Sequence, residues 1–252
     1  MTTPTLDIPA QFLRGARKGK PGASIASGVK LIELTQAILG VEDFSGTSVL
    51  DMGCGTKLVQ AFLERELPVK RYVGVDVYRD MIEFLQENVA DDRFEFAHTN
   101  SHNQMYNPQG LPLGEVCSLP IADEQFDVIT LFSVFTHLAP HDYSAMLKLL
   151  RPYIKPGGKL VYSLFINEKT PAGLGLIDRI DDFSPRGGPE SAPERDANTP
   201  DFLDLDPAAP LKFAVYSRPH AISLIEGTGW SLQRLEDPLG YIQHHAVCVP
   251  GP

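Results

Sequence analysis

The stretch Val49-Leu50-Asp51-Met52-Gly53-Cys54-Gly55-Thr56-Lys57 decides how the chain is read. Thr47 to Asp51 reads as a short buried strand, and Lys57 to Glu66 (KLVQAFLERE) reads as a helix. Between them stand two glycines one residue apart. Glycine has no Cβ and tolerates positive φ, so backbone N–H groups in such a turn can approach a ligand closely at a helix N-terminus. Arg71 to Asp76 (RYVGVD) reads as a second strand, and its last residue falls 21 positions after Gly55. A carboxylate there can accept hydrogen bonds from both hydroxyls of a ribose. A lone G-x-G is weak, but the order strand, G-x-G, helix, strand, Asp puts every part where an adenosine-containing cofactor requires it.

Outward from this unit the same alternation continues. Helices are predicted over 25–39, with Val29, Ile32, Leu34, Ile38 and Leu39 as the apolar set and Gly40 as the stop, then over 79–89, 142–154 and 218–227. Further strands are predicted over 93–97, 126–132, 159–166, 230–235 and 241–249. Several are apolar throughout, the signature of a parallel sheet covered on both faces. Residues 1–24 read as an irregular arm carrying Arg14, Arg17, Lys18 and Lys20. Residues 167–212 hold seven prolines, ten acids and five bases without clear periodicity, too long a stretch for an ordinary connection. Its apolar residues Leu174, Leu176, Ile177, Ile180, Phe183, Phe202, Leu203 and Leu205 suit a cover over a site. The expected organisation is an arm and helix over 1–40, then one domain over 41–252 with 167–212 as a lid or substrate insertion.

Composition narrows the function. Of 252 residues, 43% are hydrophobic and 21% charged, as in ordinary globular chains, while 21 glycines and 21 prolines imply long loops. A net charge of −10 argues against a nucleic-acid partner, because displacing counterions from phosphates takes clustered Lys and Arg. Cys54, Cys117 and Cys248 are far apart, so neither a zinc knuckle nor a disulfide framework is indicated, and a reducing, cytoplasmic location is the simpler reading. No apolar run approaches the ~20 residues needed to span a bilayer.

Three residues after Gly55 stands Leu58, where a dinucleotide-binding turn would place its third glycine. Asp51, two residues before Gly53, would repel a pyrophosphate and suits an amino group. Both features point to S-adenosylmethionine, with its ammonium near the first loop. Here the sequence resembles the class I S-adenosylmethionine-dependent methyltransferases. Their acid-x-G-x-G motif is matched by Asp51, Gly53 and Gly55, their ribose acid by Asp76, their Leu-Pro…Phe-Asp segment by Leu119, Pro120, Phe126 and Asp127, and their Lys-Pro-Gly-Gly turn by Lys155, Pro156, Gly157 and Gly158. The likeness covers 46–166 well and 218–249 in outline. It implies an α/β, doubly wound, mostly parallel seven-stranded sheet with an antiparallel last strand.

The resemblance further implies a cofactor site of Asp51, Gly53, Cys54, Gly55, Asp76, Val77, Met81 and Phe132, with Val77 and Met81 against the adenine. Two positions depart from it. Lys57 replaces a third glycine, and its side chain either points away or reaches the cofactor carboxylate. Asn100 replaces an acid after the third strand and is expected to meet the adenine edge. The 98–118 segment, with Tyr106-Asn107-Pro108, resembles a loop of some uncharacterised bacterial members.

Methyl transfer requires an acceptor atom held in line with the methyl group in a dry pocket, and a hydroxyl acceptor generally needs a base. The pocket of a doubly wound sheet lies beyond the carboxyl ends of its strands. His137 follows the fourth strand and is the expected base, with Phe135 as a channel wall. Tyr241 and Gln243 open the last strand, and His244 and His245 should face opposite ways. No paired acids end the fourth strand, so no catalytic metal is expected. The expectation is a cytoplasmic enzyme that methylates a small molecule, most simply at oxygen. The alternatives are methylation of a protein or lipid-linked sugar, and a non-catalytic regulator that binds S-adenosylmethionine.

Overall fold

Neighbouring residues of the central strands are buried in different cores. Val49, Tyr72, Val128 and Val161 belong to one cluster, and Leu50, Val73, Ile129 and Leu160 to the other. Side chains of a strand alternate between its faces, so strands buried in this way must be covered by helices on both sides. The computed structural model describes residues 6–13, 22–182, 200–206, 208–238 and 242–251. The chain runs α1 (Ala23–Leu39), β1 (Phe44–Met52), α2 (Lys57–Glu64), β2 (Val69–Asp76), α3 (Arg79–Asn88), β3 (Phe94–His98), β4 (Phe126–Leu131), α4 (Pro140–Leu150), β5 (Ile154–Ile166), β6 (Phe202–Asp204), β7 (Ala214–Tyr216), α5 (Arg218–Ser223), β8 (Trp230–Glu236) and β9 (His244–Pro250). Helices α1, α2 and α3 cover one face, and α4 and α5 the other.

β1 lies between β2 and β4, with β3 beyond β2 and β5 beyond β4, all parallel. β9 runs antiparallel to both β5 and β8, as expected of the last strand. Among the described residues the sheet has nine strands, two more than the expected seven. The extra pair comes from the acidic insertion and its flank. β7 extends the end of β5 in parallel, pairing Phe165 with Val215 and Ile166 with Tyr216, and β6 pairs antiparallel with β7. Each is three residues long, too short to show a period of two in sequence.

Leu176 and Val215 pack with Phe165, and Leu203, Leu205 and Phe213 join them in a small core of their own. The apolar residues of the insertion are therefore partly used in holding it to the end of β5. Phe183 lies outside the described residues.

Element ends follow local chemistry. Gly40 stops α1 at φ 73°, its N–H donating to the Gln36 carbonyl at 2.8 Å. α4 ends at Leu150, short of the expected 154, because Pro152 cannot continue a helical ladder. Leu6, Ile8 and Phe12 are buried in the same core as α1, so this part of the N-terminal arm is packed against the domain. The basic run at 14–20 lies outside the described residues.

α1 rests on α2 through Gly28. A Cβ at that position would stand 2.2 Å from the Lys57 carbonyl oxygen, which a real side chain cannot do. Gly28→Ala should therefore cost about 1–3 kcal/mol in chemical denaturation by pushing the two helices apart. A variant as stable as the parent would show that the helices separate without strain.

Candidate functional site

The loop after β1 is stitched to the end of β2. Gly53 N and Cys54 N donate to the Val75 carbonyl at 2.7 and 3.2 Å. Gly53 has φ 70°, and a Cβ there would lie 2.4 Å from Val134 Cγ2, so glycine is required both by conformation and by space. Gly55, at φ 51°, donates its N–H to Asp76 Oδ2 at 3.0 Å. The other oxygen of Asp76 accepts from Tyr78 N at 3.0 Å. Asp76 is only 8% exposed, and burial pushes its carboxyl above the ordinary range despite these amide donors.

Two adjoining cavities open here, of about 310 and 100 Å³. Gly53, Asp76, Tyr106, Ser133 and His137 line both. The larger is also lined by Asp51, Cys54, Gly55, Lys57, Met81 and Phe132, and the smaller by Val77. Asn100 lines neither, and this expectation is corrected. Its side-chain oxygen accepts from Asn107 Nδ2 at 3.1 Å and the residue is exposed, whereas the next residue, Ser101, is buried and lines the smaller cavity. The turn after β3 therefore brings Ser101, and not Asn100, to the smaller cavity.

Asp51 is 2% exposed. Tyr72 OH donates to one of its oxygens at 2.6 Å and Thr130 Oγ1 to the other at 2.7 Å. Burial pushes its carboxyl up to about 7, against the pull of these hydroxyls and of Lys57. Lys57 is the first residue of α2 and faces the larger cavity. Cys54 is buried with its thiol pushed well up, so it packs as a small apolar wall.

Three aromatic residues that sequence reasoning left out complete the walls. Tyr106 stacks on Tyr78 with ring centroids 5.9 Å apart, and Phe12 meets Tyr78 edge-on at 5.5 Å. All three line the larger cavity. The signal for Tyr106 was its place in the long loop after β3, and Phe12 gave none.

At the end of β4 the backbone turns sharply. Ser133 has φ 62°, rare for a side-chain-bearing residue. Its N–H donates to Ser163 Oγ at 2.8 Å, Ser163 Oγ donates to Gln243 Oε1 at 2.6 Å, and Gln243 Nε2 donates back to Ser133 Oγ at 3.0 Å. Gln243 thus reaches the site through Ser133. Phe135 is fully buried between Tyr143 and Tyr162 and lines neither cavity, so it is a core residue and no channel wall.

His137 is joined to the acidic insertion, its Nδ1 lying 3.0 Å from the Leu211 carbonyl oxygen. Burial lowers its pKa below that of a free imidazole, partly offset by the Leu211 and Lys212 backbone.

His244 and His245 do face opposite sides. His245 meets Phe132 edge-on at 6.3 Å, and burial drives its pKa down to about 4. His244 Nε2 lies 3.2 Å from Glu168 Oε1 and 3.9 Å from Asp237 Oδ1. These three form the one group among the described residues with metal-ligand spacing, but the Arg218 guanidinium bonds both carboxylates and supplies the positive charge itself. Tyr241 lies outside the described residues.

The sequence family described as a methyltransferase domain matches residues 50–162. Over these residues, which carry the parallel strands β1 to β5, the chain is similar to a methyltransferase domain. The chain is 32% identical over 117 residues to the demethylmenaquinone methyltransferase of Anoxybacillus flavithermus, covering 46% of this chain and 44% of that one. The chain spans roughly two fifths of the length of the first relatives it matches, between 37 and 44%. The fold superposes on the PH0226 protein of Pyrococcus horikoshii with a TM-score of 0.55 at 17% identity, covering 94% of this chain and 99% of that one. It superposes on magnesium protoporphyrin IX methyltransferase of Synechocystis, bound to S-adenosylhomocysteine, with a TM-score of 0.53 at 15% identity, covering 96 and 92%. Among the described residues no helix of the methyltransferase domain or its flanks is long and apolar enough to cross a membrane.

The raised pKa of Asp51 makes stability depend on pH. The folded state holds a proton that the unfolded chain releases near pH 4, so this residue's contribution is present below about pH 4 and lost as pH rises through about 7. The Tm difference between Asp51→Asn and the parent should therefore move in the variant's favour from pH 5 to pH 8. A difference independent of pH would contradict the assignment.

Proposed function

We propose that the protein transfers a methyl group from S-adenosylmethionine to a small-molecule acceptor at oxygen, in the cytoplasm, with His137 as general base. The observation that carries this reading is that Asp76, on its glycine loop, and His137 line the same pair of adjoining cavities. The site fits the cofactor. Asp76 keeps unused lone pairs for two ribose hydroxyls, and Gly53 leaves a cradle that any side chain would fill. Asp51 and Lys57 offer opposite charges to the amino and carboxylate ends. Val77, Ser101 and Met81 would flank the adenine.

When bound, S-adenosylmethionine would supply an electrophilic methyl group on a positively charged sulfur. His137 Nδ1 faces a carbonyl oxygen, which can only accept, so the ring proton of the neutral imidazole is on Nδ1 and the lone pair on Nε2. Nε2 then takes the acceptor's hydroxyl proton as that oxygen bonds to the methyl carbon. The imidazole would then hold the proton and the positive charge that comes with it. The larger cavity, walled by Phe12, Leu13, Leu31 and Phe132, offers the acceptor an apolar and water-poor setting. The part of the insertion around Leu211 closes the acceptor side, a reading that its contact with His137 supports.

Calorimetry should detect binding of S-adenosylmethionine and none of NAD. Asp76→Ala should weaken that binding by about 1.5–3 kcal/mol, the range for a charged hydrogen bond. Unchanged affinity would remove Asp76 from the site.

His137→Ala should lower kcat by about 10²–10⁴ with cofactor affinity intact. Because the base must be neutral and its pKa is shifted down, turnover should rise with pH below the ordinary histidine range and be level from neutral pH upward. Full activity in His137→Ala would leave acceptor deprotonation without this residue.

A further inference from the structure

Leu211 has φ 58°, a left-handed conformation that a leucine keeps only where its surroundings impose it. Asp204, the last residue of β6, imposes it by accepting the Leu211 N–H on Oδ2 at 2.9 Å. The next residue is held too. Lys212 N donates to the Ala209 carbonyl at 3.0 Å, and Lys212 Nζ pairs with Asp206 at 3.2 Å. The carbonyl that results from this bend is the one that faces His137 Nδ1 at 3.0 Å. From the other strand of the hairpin, Tyr216 OH donates to the carbonyl of Leu138, the residue after His137. The β6–β7 hairpin therefore grips the His137 turn at two adjacent residues.

A neutral imidazole has two tautomers, and only one puts a lone pair on a given nitrogen. With the proton on Nε2, His137 would present a donor to an acceptor hydroxyl and could not take its proton. A carbonyl fixed against Nδ1 removes that tautomer and fixes the ring plane.

We propose that the β6–β7 hairpin belongs to the catalytic apparatus: the Leu211 carbonyl holds His137 in the tautomer with Nδ1 protonated and Nε2 bare, and Asp204 is the positioning residue that holds this carbonyl in place. The proposal rests on His137 serving as the base. It assigns the acidic insertion a task beyond covering the site, because an insertion that fails to fold onto β5 leaves His137 free to take either tautomer.

The test reads the ring directly. In protein labelled with ¹⁵N-histidine and free of cofactor, long-range ¹H–¹⁵N spectra distinguish protonated from bare ring nitrogens, and His137→Gln assigns the signals. The parent should show a bare Nε2 and a protonated Nδ1. Asp204→Ala should move both signals toward averaged values and lower kcat about 10- to 100-fold with the KM for S-adenosylmethionine unchanged. Asp204→Asn, which retains an acceptor oxygen, should restore both. Leu211→Pro reaches the same carbonyl independently, since proline lacks the N–H that Asp204 holds and cannot adopt positive φ.

Unaltered ring signals in folded Asp204→Ala and Leu211→Pro would overturn the proposal, whatever His137→Ala does. Full activity in His137→Ala with altered signals in Asp204→Ala would overturn the base reading and, with it, the catalytic task of the hairpin.

Discussion

The Asp76 carboxylate, shared between the amides of Gly55 and Tyr78, is the constraint on which the rest of the site depends. It closes the loop after β1 onto the end of β2, and so fixes the glycine cradle relative to the sheet. Its burial raises its pKa, and the amide donors only partly offset this. Ribose hydroxyls donating to the same oxygens would relieve this deficit. On the proposed function, one carboxylate would serve the fold and the ligand together.

The acceptor side is assembled differently. Ser133 is turned by a closed ring of hydrogen bonds with Ser163 on β5 and Gln243 just before β9. His137 is aimed by Leu211, which Asp204 holds in turn. These partners come from four segments of the chain, and each bond compensates a backbone conformation, at Ser133 and Leu211, that a side-chain-bearing residue avoids on its own. Strain in the backbone is thus concentrated around Ser133 and His137, while the loop after β1 rests on two glycines that adopt their angles without penalty.

The third wall is aromatic. Tyr78 stands two residues after Asp76, and Phe12 and Tyr106 reach it from the N-terminal segment and the loop after β3. Both segments lie outside the alternating strands and helices. The sheet presents the cofactor loop and the ends of β1, β2 and β4, and what surrounds them is supplied by insertions that the sheet leaves free to vary.

The sequence by itself determined the strand and helix order, the double cover of the sheet, the glycine loop and its acid. Each of these is written in local periodicity or in residues whose task uses the backbone beside them: Gly53 and Gly55 for their φ angles, Asp76 for its place at a strand end. Only the tertiary structure decided the two short strands of the insertion, the exchange of Asn100 for Ser101, the roles of Gln243 and Phe12, and the partner of His137. A three-residue strand has no period to detect, and a one-residue shift at a strand end swaps which side chain faces the site. A hydrogen bond between residues 74 apart, such as that from His137 to Leu211, leaves no trace in the residues around either one. It exists because β7 pairs with the end of β5 and there meets the turn that follows β4, and that depends on how the strands pair.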